Sequence, residues 1–366
     1  MCGISGIKNI SGLPVPNARN AIRTMNTLQR HRGPDGSGEW VRDDGSVAFG
    51  HLRLSIIDLS PEAAQPMTDG RGNWIVYNGE IYNYRELRRE LGEELFRTSS
   101  DTEVILRAYE RWGESCVDRF RGMFSFALWN EKDRTLFCAR DRFGIKPFYY
   151  TTVDGTLYFA SEIKALLPFL PDIETDVDAL KDYLTFQFCL DGKTLFEGVR
   201  ELPPAHLLRV KDGRVSMERY WEVYYTLDFD HTEKYFQERL SSLLSETVSF
   251  HMRSDVPVGA YISGGLDSST VASLAASLVP ENSMMGFNGR FKEFGEAFDE
   301  SDYAAALARH CEFELKIRDI RCADFLEHIR NVVYHMDFPV AGPGVLPQYL
   351  VSQAASEHRE VVLGGQ

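Results

Sequence analysis

Residues 256–278 leave this chain few folds to choose from. Val256-Pro257-Val258-Gly259-Ala260-Tyr261-Ile262 is an apolar, strand-like run that feeds directly into Ser263-Gly264-Gly265-Leu266-Asp267-Ser268-Ser269, and residues 270–278 then read as a helix. Strands and helices alternate beyond it, at 284–287, 301–310, 313–317, 322–335, 348–358 and 361–363. Such alternation predicts a parallel sheet covered by helices, with ligands at the carboxyl ends of its strands. A strand, a glycine-rich turn and a helix also leave backbone N–H groups and hydroxyls at a helix N-terminus, where a phosphate fits. The turn is not a Walker A loop, because no Gly-Lys-Ser or Gly-Lys-Thr follows, and it is not Gly-x-Gly-x-x-Gly. By pattern alone it could also be an ordinary serine-rich turn.

The chain opens with Met1-Cys2-Gly3-Ile4. Removal of Met1, which the small Cys2 behind it favours, would place a thiol and a free α-amine on one residue. A thiol titrates near ~8.5 and an α-amine near ~7.7–8.0, so the amine can take the thiol proton near neutral pH and leave a nucleophile for an acyl group. The other cysteines, Cys116, Cys138, Cys189, Cys311 and Cys322, form no Cys-x-x-Cys pair and read as core thiols of a reducing compartment. A formal net charge of −14 over 366 residues argues against nucleic acid or an anionic membrane as the main partner. No apolar run approaches the ~18–20 residues that span a bilayer, and the first residues lack a signal peptide's apolar stretch. A cytoplasmic protein acting on small molecules is the expectation.

Residues 22–28 read as a short helix entering the Gly/Pro-rich loop 29–36, whose Arg30, His31 and Arg32 are either solvated loop charges or part of a site. Residues 74–77 read as a strand that stops at Asn78-Gly79-Glu80, residue types that tolerate unusual backbone angles. The Asn78 amide and the Gly79 N–H would suit an oxyanion, unless the turn is an ordinary one. Ser100 and Glu103 fit a capping box ahead of a helix carrying Val104, Ile105, Ala108 and Trp112. Four short strands at 124–129, 136–139, 148–152 and 157–160 complete a pattern of stacked antiparallel sheets flanked by helices. Further on, 233–252 reads as an amphipathic helix whose Phe236, Leu240, Leu243, Leu244 and Val248 are assigned to core packing.

Several of these stretches, in order, resemble the class II glutamine amidotransferase domain. They are Cys2-Gly3-Ile4, the HRGPDG loop at 31–36, HLRLSII at 51–57, NGEIYN at 78–83, SDTE at 100–103 and RDRFG at 140–144. The resemblance implies an N-terminal-nucleophile αββα sandwich in which Cys2 attacks the side-chain amide of glutamine. It implies that Asn78 and Gly79 form an oxyanion hole, that Arg53 pairs with the α-carboxylate, and that Glu80 and Asp101 hold the ammonium. Leu54, Ser55, Ile56 and Ile57 would complete the glutamine site. SGGLDSS at 263–269 resembles the pyrophosphate loop of ATP pyrophosphatases. This second resemblance implies an ATP site made of Ile262, Ser263, Gly264, Gly265, Asp267, Ser268, Ser269 and Gly289, with Asp267 as the Mg²⁺ ligand.

The two features together are similar to the arrangement of glutamine-hydrolysing asparagine synthetases. That implies glutamine, aspartate and ATP as substrates, Mg²⁺ as cofactor, β-aspartyl-AMP as intermediate, and a homodimer as one assembly to test. The expected domains are an amidotransferase over 1–170, a connecting segment over 171–232, and part of an α/β parallel-sheet ATP-pyrophosphatase domain, adenine nucleotide α-hydrolase-like, over 233–366. Residues 361–366 read as a strand entering a glycine turn, where a domain rarely stops because its open edge would be costly, so a fragment is expected. A ligase for another carboxylate, or a glutaminase with an incomplete nucleotide module, stay open as alternatives.

Overall fold

The computed structural model describes every residue except 282, 296, 297, 338–341, 343 and 366. It divides into two compact units, Met1–Tyr224 and Tyr225–Gln366.

In the first unit, β1 (Gly3–Asn9) and α1 (Ala18–Leu28) precede β2 (Gly36–Val41), β3 (Val47–Arg53), β4 (Met67–Thr68) and β5 (Asn73–Ile81). Helices α2 (Tyr84–Leu91) and α3 (Asp101–Trp112) lead to β6 (Gly122–Asn130), β7 (Thr135–Arg140), β8 (Tyr149–Val153) and β9 (Thr156–Ala160). Helix α4 (Val177–Phe186), β10 (Arg200–Glu201), β11 (His206–Lys211) and β12 (Arg214–Arg219) finish it. The strands form two six-stranded sheets, ordered β10-β8-β9-β1-β3-β2 and β12-β11-β7-β6-β5-β4.

Successive strand residues point to opposite faces, and here both faces are covered. In β1, Ile4 enters the core between the sheets while Ile7 packs with Ile22 and Met25 of α1. In β6, Ala127 and Trp129 face the inter-sheet core, whereas Phe124, Phe126 and Leu128 meet Val104, Ile105 and Ala108 of α3. That double burial explains why these strands read as unbroken apolar runs, and it builds the expected four-layer αββα sandwich.

The second unit begins with α5 (Glu233–His251), followed by β13 (Val258–Tyr261), α6 (Leu266–Ala276), β14 (Met285–Arg290) and α7 (Ser301–His310). Then come β15 (Glu314–Asp319), α8 (Cys322–Met336), α9 (Val345–Ser356) and β16 (Val361–Leu363). All its strand pairs are parallel, in the order β15-β14-β13-β16. The chain steps outward from β13 to β15 and returns on the other side of β13 as β16, so the topological switch point lies between β13 and β16.

Several expectations change. The segment 171–224 is not a connection, because β10 pairs with β8 and β11 with β7, extending both sheets of the first unit. The strand read at 74–77 does not stop at Asn78 but continues as β5 to Ile81. Of the apolar stripe on α5, only Val248 is buried, and Leu240 is 59% exposed, since only the last turns of that helix reach the core of its unit. The capping box is half formed: Ser100 Oγ accepts from Thr102 N–H, but the Glu103 carboxylate turns to the backbone of Arg97 and Thr98. Cys116 and Cys138 are core thiols, while Cys189 and Cys311 are half-buried and Cys322 is exposed. Among the described residues no helix is long and apolar enough to cross a membrane.

Candidate active site

Cys2 stands at the head of β1, a central strand, and the residues around it are pinned. Ile4 N–H donates to Ser161 Oγ, and Ile4 O accepts from Ser161 N and Gln29 Nε2, all at 3.0 Å. Arg32 Nε–H donates to the Cys2 carbonyl at 2.8 Å. Cys2 Sγ lies 3.4 Å from Leu54 N, a donor for the sulfur. Burial pushes the Cys2 thiol up, while the Leu54 N–H, the Met1 α-amine and Lys146 pull the other way. The α-amine of Met1, which caps the chain here, is lowered by burial to about 5, with Arg32 and Lys146 lowering it further.

Asn78 and Gly79 project from β5 in the facing sheet, which His51 ties to β3 through a 3.1 Å contact between its Nε2 and Tyr77 O. Asn78 is 1% exposed, and its Nδ2 has no hydrogen-bond partner among the described residues. Gly79 pairs in register with Phe124 of β6, but both backbone polar groups of Phe124 bond to Asp141. That pair is therefore a non-hydrogen-bonded one, and the Gly79 N–H points away from β6. Two residues either side, the N–H groups with the same orientation are occupied: Tyr77 N donates to Gln65 Oε1 and Ile81 N to Asp101 Oδ2. The glycine here serves close approach, not an unusual φ, because a Cβ at Gly79 would lie 2.3 Å from Met123 O. The strand thus presents one orphan amide donor next to an N–H on its free side, an arrangement that can receive an oxyanion.

The charged groups expected around glutamine are brought to the same unit. Arg53 donates Nη1–H to Ser60 O at 2.8 Å and bonds Asp58 O through Nη2, so loop carbonyls orient its guanidinium. Asp101, first residue of α3, accepts from Tyr77 Oη at 2.7 Å and from Ile81 N at 2.9 Å, and burial raises its carboxyl to about 6. The Glu80 carboxylate lies close enough to raise, by its charge, both the Cys2 thiol and the Met1 α-amine. Ser55 N donates to Asp35 Oδ2 at 2.7 Å, whereas Ile57 packs in the core, with Ile56 against it.

Two residues of this region, Lys146 and Glu162, escaped sequence reading. Lys146 is buried, and burial lowers its ammonium pKa against the opposing pull of Glu80. The RDRFG stretch delivers it: the Asp141 carboxylate accepts from the N–H groups of Phe124, Phe143, Ile145 and Lys146 at 3.0–3.1 Å, while Arg140 Nε donates to Lys146 O at 2.8 Å. Arg32, which read equally as a solvated loop charge, is buried and paired with Glu162 at 3.0 Å. The sequence signals here were the HRGPDG loop for Arg32 and the RDRFG stretch that precedes Lys146.

In the second unit, Ile262 and Ser263 follow β13 at the switch point. Helix α6 begins at Leu266, earlier than expected, so Asp267, Ser268 and Ser269 form its first turn and not a loop. Ser263 Oγ and Ser268 Oγ lie 2.9 Å apart, Gly265 N donates to Ser263 Oγ at 3.1 Å, and Ser263 N donates to Ser268 Oγ at 3.2 Å, so these hydroxyls shape the turn. Gly264 has φ +99°, and a Cβ there would lie 2.7 Å from Glu300 O. Asp267 is exposed beside the α6 N-terminus, an oxygen donor where a phosphate-bound Mg²⁺ fits. Gly289, near the end of β14, helps line a cavity of about 390 Å³ with Tyr261, Ile262, Phe287, Phe291 and Val351.

Residues 1–221 match the family model described as glutamine amidotransferase domain, and residues 239–366 match the one described as asparagine synthase. Glutamine-hydrolyzing asparagine synthetase 1 of Bacillus subtilis is 38% identical over 371 aligned positions, which cover all of this chain and 57% of that protein. The amidase chry2 of Gibberella zeae is 37% identical over 347 residues, covering 89% of this chain and 50% of its own length. The chain thus spans little more than half the length of these relatives. A putative glutamine-hydrolyzing asparagine synthetase 2 of Methanocaldococcus jannaschii is 33% identical over 394 residues, covering all of this chain and 74% of that protein. With both halves matched in this order, the chain belongs to the family of glutamine-hydrolysing asparagine synthetases.

Proposed function

We propose that this chain carries out the glutamine-dependent, ATP-driven amidation of aspartate to asparagine. In the first unit, after loss of Met1, the Cys2 α-amine takes the thiol proton and the sulfur attacks the side-chain amide carbon of glutamine. The oxyanion that forms is met by Asn78 Nδ2–H and Gly79 N–H. Collapse expels ammonia, protonated by the same amine, and water then releases glutamate from the thioester. Arg53 takes the α-carboxylate, and Glu80 and Asp101 take the α-ammonium, with Leu54, Ser55, Ile56 and Ile57 forming the surrounding wall. Lys146 opposes the burial penalty on the Cys2 thiolate.

In the second unit, residues 262–269 and Gly289 bind ATP, and Asp267 holds Mg²⁺. Bound Mg-ATP supplies an α-phosphorus that the aspartate side-chain carboxylate can attack with pyrophosphate leaving; the resulting β-aspartyl-AMP yields asparagine and AMP on attack by ammonia. One observation carries the reading: a buried amide donor without a partner among the described residues, Asn78 Nδ2, beside an N–H that its own sheet leaves free. Such a pair is costly unless a ligand's developing charge completes it.

Incubation with glutamine, aspartate and Mg-ATP tests the reading. The expected products are glutamate, asparagine, AMP and pyrophosphate. Formation of ADP would overturn the pyrophosphatase assignment, and amidation of a different acid with aspartate untouched would overturn the substrate.

A further inference from the structure

We infer that Asn288 tells adenine from other purines in the second unit, its side-chain Oδ1 accepting a hydrogen bond from the 6-amino group of the base. The inference rests on the ATP reading above and sharpens it. Asn288 lies on β14 and is 2% exposed. Its Nδ2 donates to Ile262 O at 2.8 Å. That bond decides which way the amide faces, because the flipped amide would set Oδ1 against a carbonyl oxygen. Oδ1 so held is buried and has no partner among the described residues. A buried acceptor in that state points to a donor that arrives with a ligand.

The surroundings say which ligand. Asn288 lines the cavity of about 390 Å³ together with Tyr261, Phe287, Phe291, Phe298 and Val351. Aromatic and aliphatic walls suit a flat heterocycle. Ser263, the first residue of the phosphate-type turn, lines the same cavity, so a nucleotide can set its phosphates toward α6 and its base among the aromatic rings. The cavity opens at the carboxyl ends of β13 and β14, where parallel sheets bind ligands. Adenine carries a donor at position 6, whereas guanine and hypoxanthine carry a carbonyl oxygen there, which would oppose Oδ1 acceptor to acceptor.

Calorimetric titration of the chain with ATP, inosine triphosphate and purine riboside triphosphate, which has hydrogen at position 6, reads this directly in the presence of Mg²⁺. ATP is expected to bind about tenfold to a hundredfold more tightly than purine riboside triphosphate, with inosine triphosphate weaker still. Asn288→Val should weaken ATP to the level of purine riboside triphosphate and leave the latter unchanged. Equal affinity of the unaltered chain for ATP and purine riboside triphosphate overturns the inference and leaves the ATP reading standing. So does a folded Asn288→Val chain that keeps the original preference. Failure of every nucleotide to bind would instead overturn the ATP reading itself. Should the valine variant not fold, the comparison on the unaltered chain still decides.

Discussion

Arg32 donates its Nε–H to the carbonyl oxygen of Cys2 at 2.8 Å, so a side chain from the loop after α1 holds the backbone of the candidate nucleophile. The same guanidinium reaches Glu162 through Nη1 at 3.0 Å, and Glu162 also receives His31 Nε2 at 2.9 Å and Lys164 Nζ at 2.6 Å. The carboxylate is the common partner of buried Arg32 and Lys164 and of the more exposed His31.

Glu162→Gln should therefore remove the carboxylate that buried Arg32 and Lys164 pair with, lowering stability by about 3–5 kcal/mol and slowing glutamine hydrolysis. Burial raises the Glu162 carboxyl, but the hydrogen bonds from His31 and Lys164, with the Arg32 charge, hold it at about 2. A depressed carboxyl stabilises fully above its ordinary value of ~4.3, and that stability is lost as pH falls toward about 2. Thermal melts should show the gap between the two chains closing from pH 5 down to pH 2.5. A gap independent of pH would disprove the ion-pair account.

Asn78→Ala and Gly79→Ala should fail in different ways. The Asn78 Nδ2 holds nothing in the fold, so its loss should leave the melting temperature near its original value and cut kcat for glutamine by ~10²–10³. A methyl group at Gly79 meets the backbone of Met123 and Phe124 at 2.3 and 2.7 Å, so that chain should lose roughly 1–3 kcal/mol of stability as β5 and β6 move apart. Steady-state kinetics beside calorimetric melts separate the two. An active Asn78→Ala chain would remove Asn78 from the oxyanion site.

Asp101→Asn should stabilise the fold while weakening glutamine binding. Burial raises this carboxyl to about 6, against the pull of the Ile81 N–H and the Tyr77 hydroxyl. A raised carboxyl costs stability as pH climbs from its ordinary ~3.9 through the folded value, so the amide variant should gain melting temperature relative to the parent between pH 4.5 and 7.5. Loss of the charge facing the substrate ammonium should raise KM for glutamine roughly tenfold to a hundredfold. An unchanged KM would sink the ammonium assignment.

Gly264→Ala should act on the nucleotide side. The residue sits at φ +99°, and its added Cβ would lie 2.7 Å from Glu300 O, so the turn before α6 must distort. ATP affinity by calorimetry should fall at least about tenfold, while ammonia release from glutamine without ATP continues at the original rate. Undiminished ATP binding would mean that the turn is not the phosphate site.

Much of this architecture was written locally. Helix α7 and strand β16 run over the residues that their spacing predicts, 301–310 and 361–363, and the parallel order of β13 to β16 follows from strand–turn–helix alternation. The glycine-rich turn and the apolar strand runs were likewise legible, because a periodicity needs no distant partner to be recognised. Tertiary structure alone decided the rest. It brought Glu162 to Arg32 across 130 residues of sequence, carried Lys146 into the thiol site, and left Leu240 of α5 in solvent although its stripe looked like core. It also gave Gly79 its reason, the backbone of β6 lying against it in a continuing strand where a turn was expected. Burial and long-range contact depend on which faces the two sheets and their helices cover, and that is a property of packing, not of any one stretch of residues.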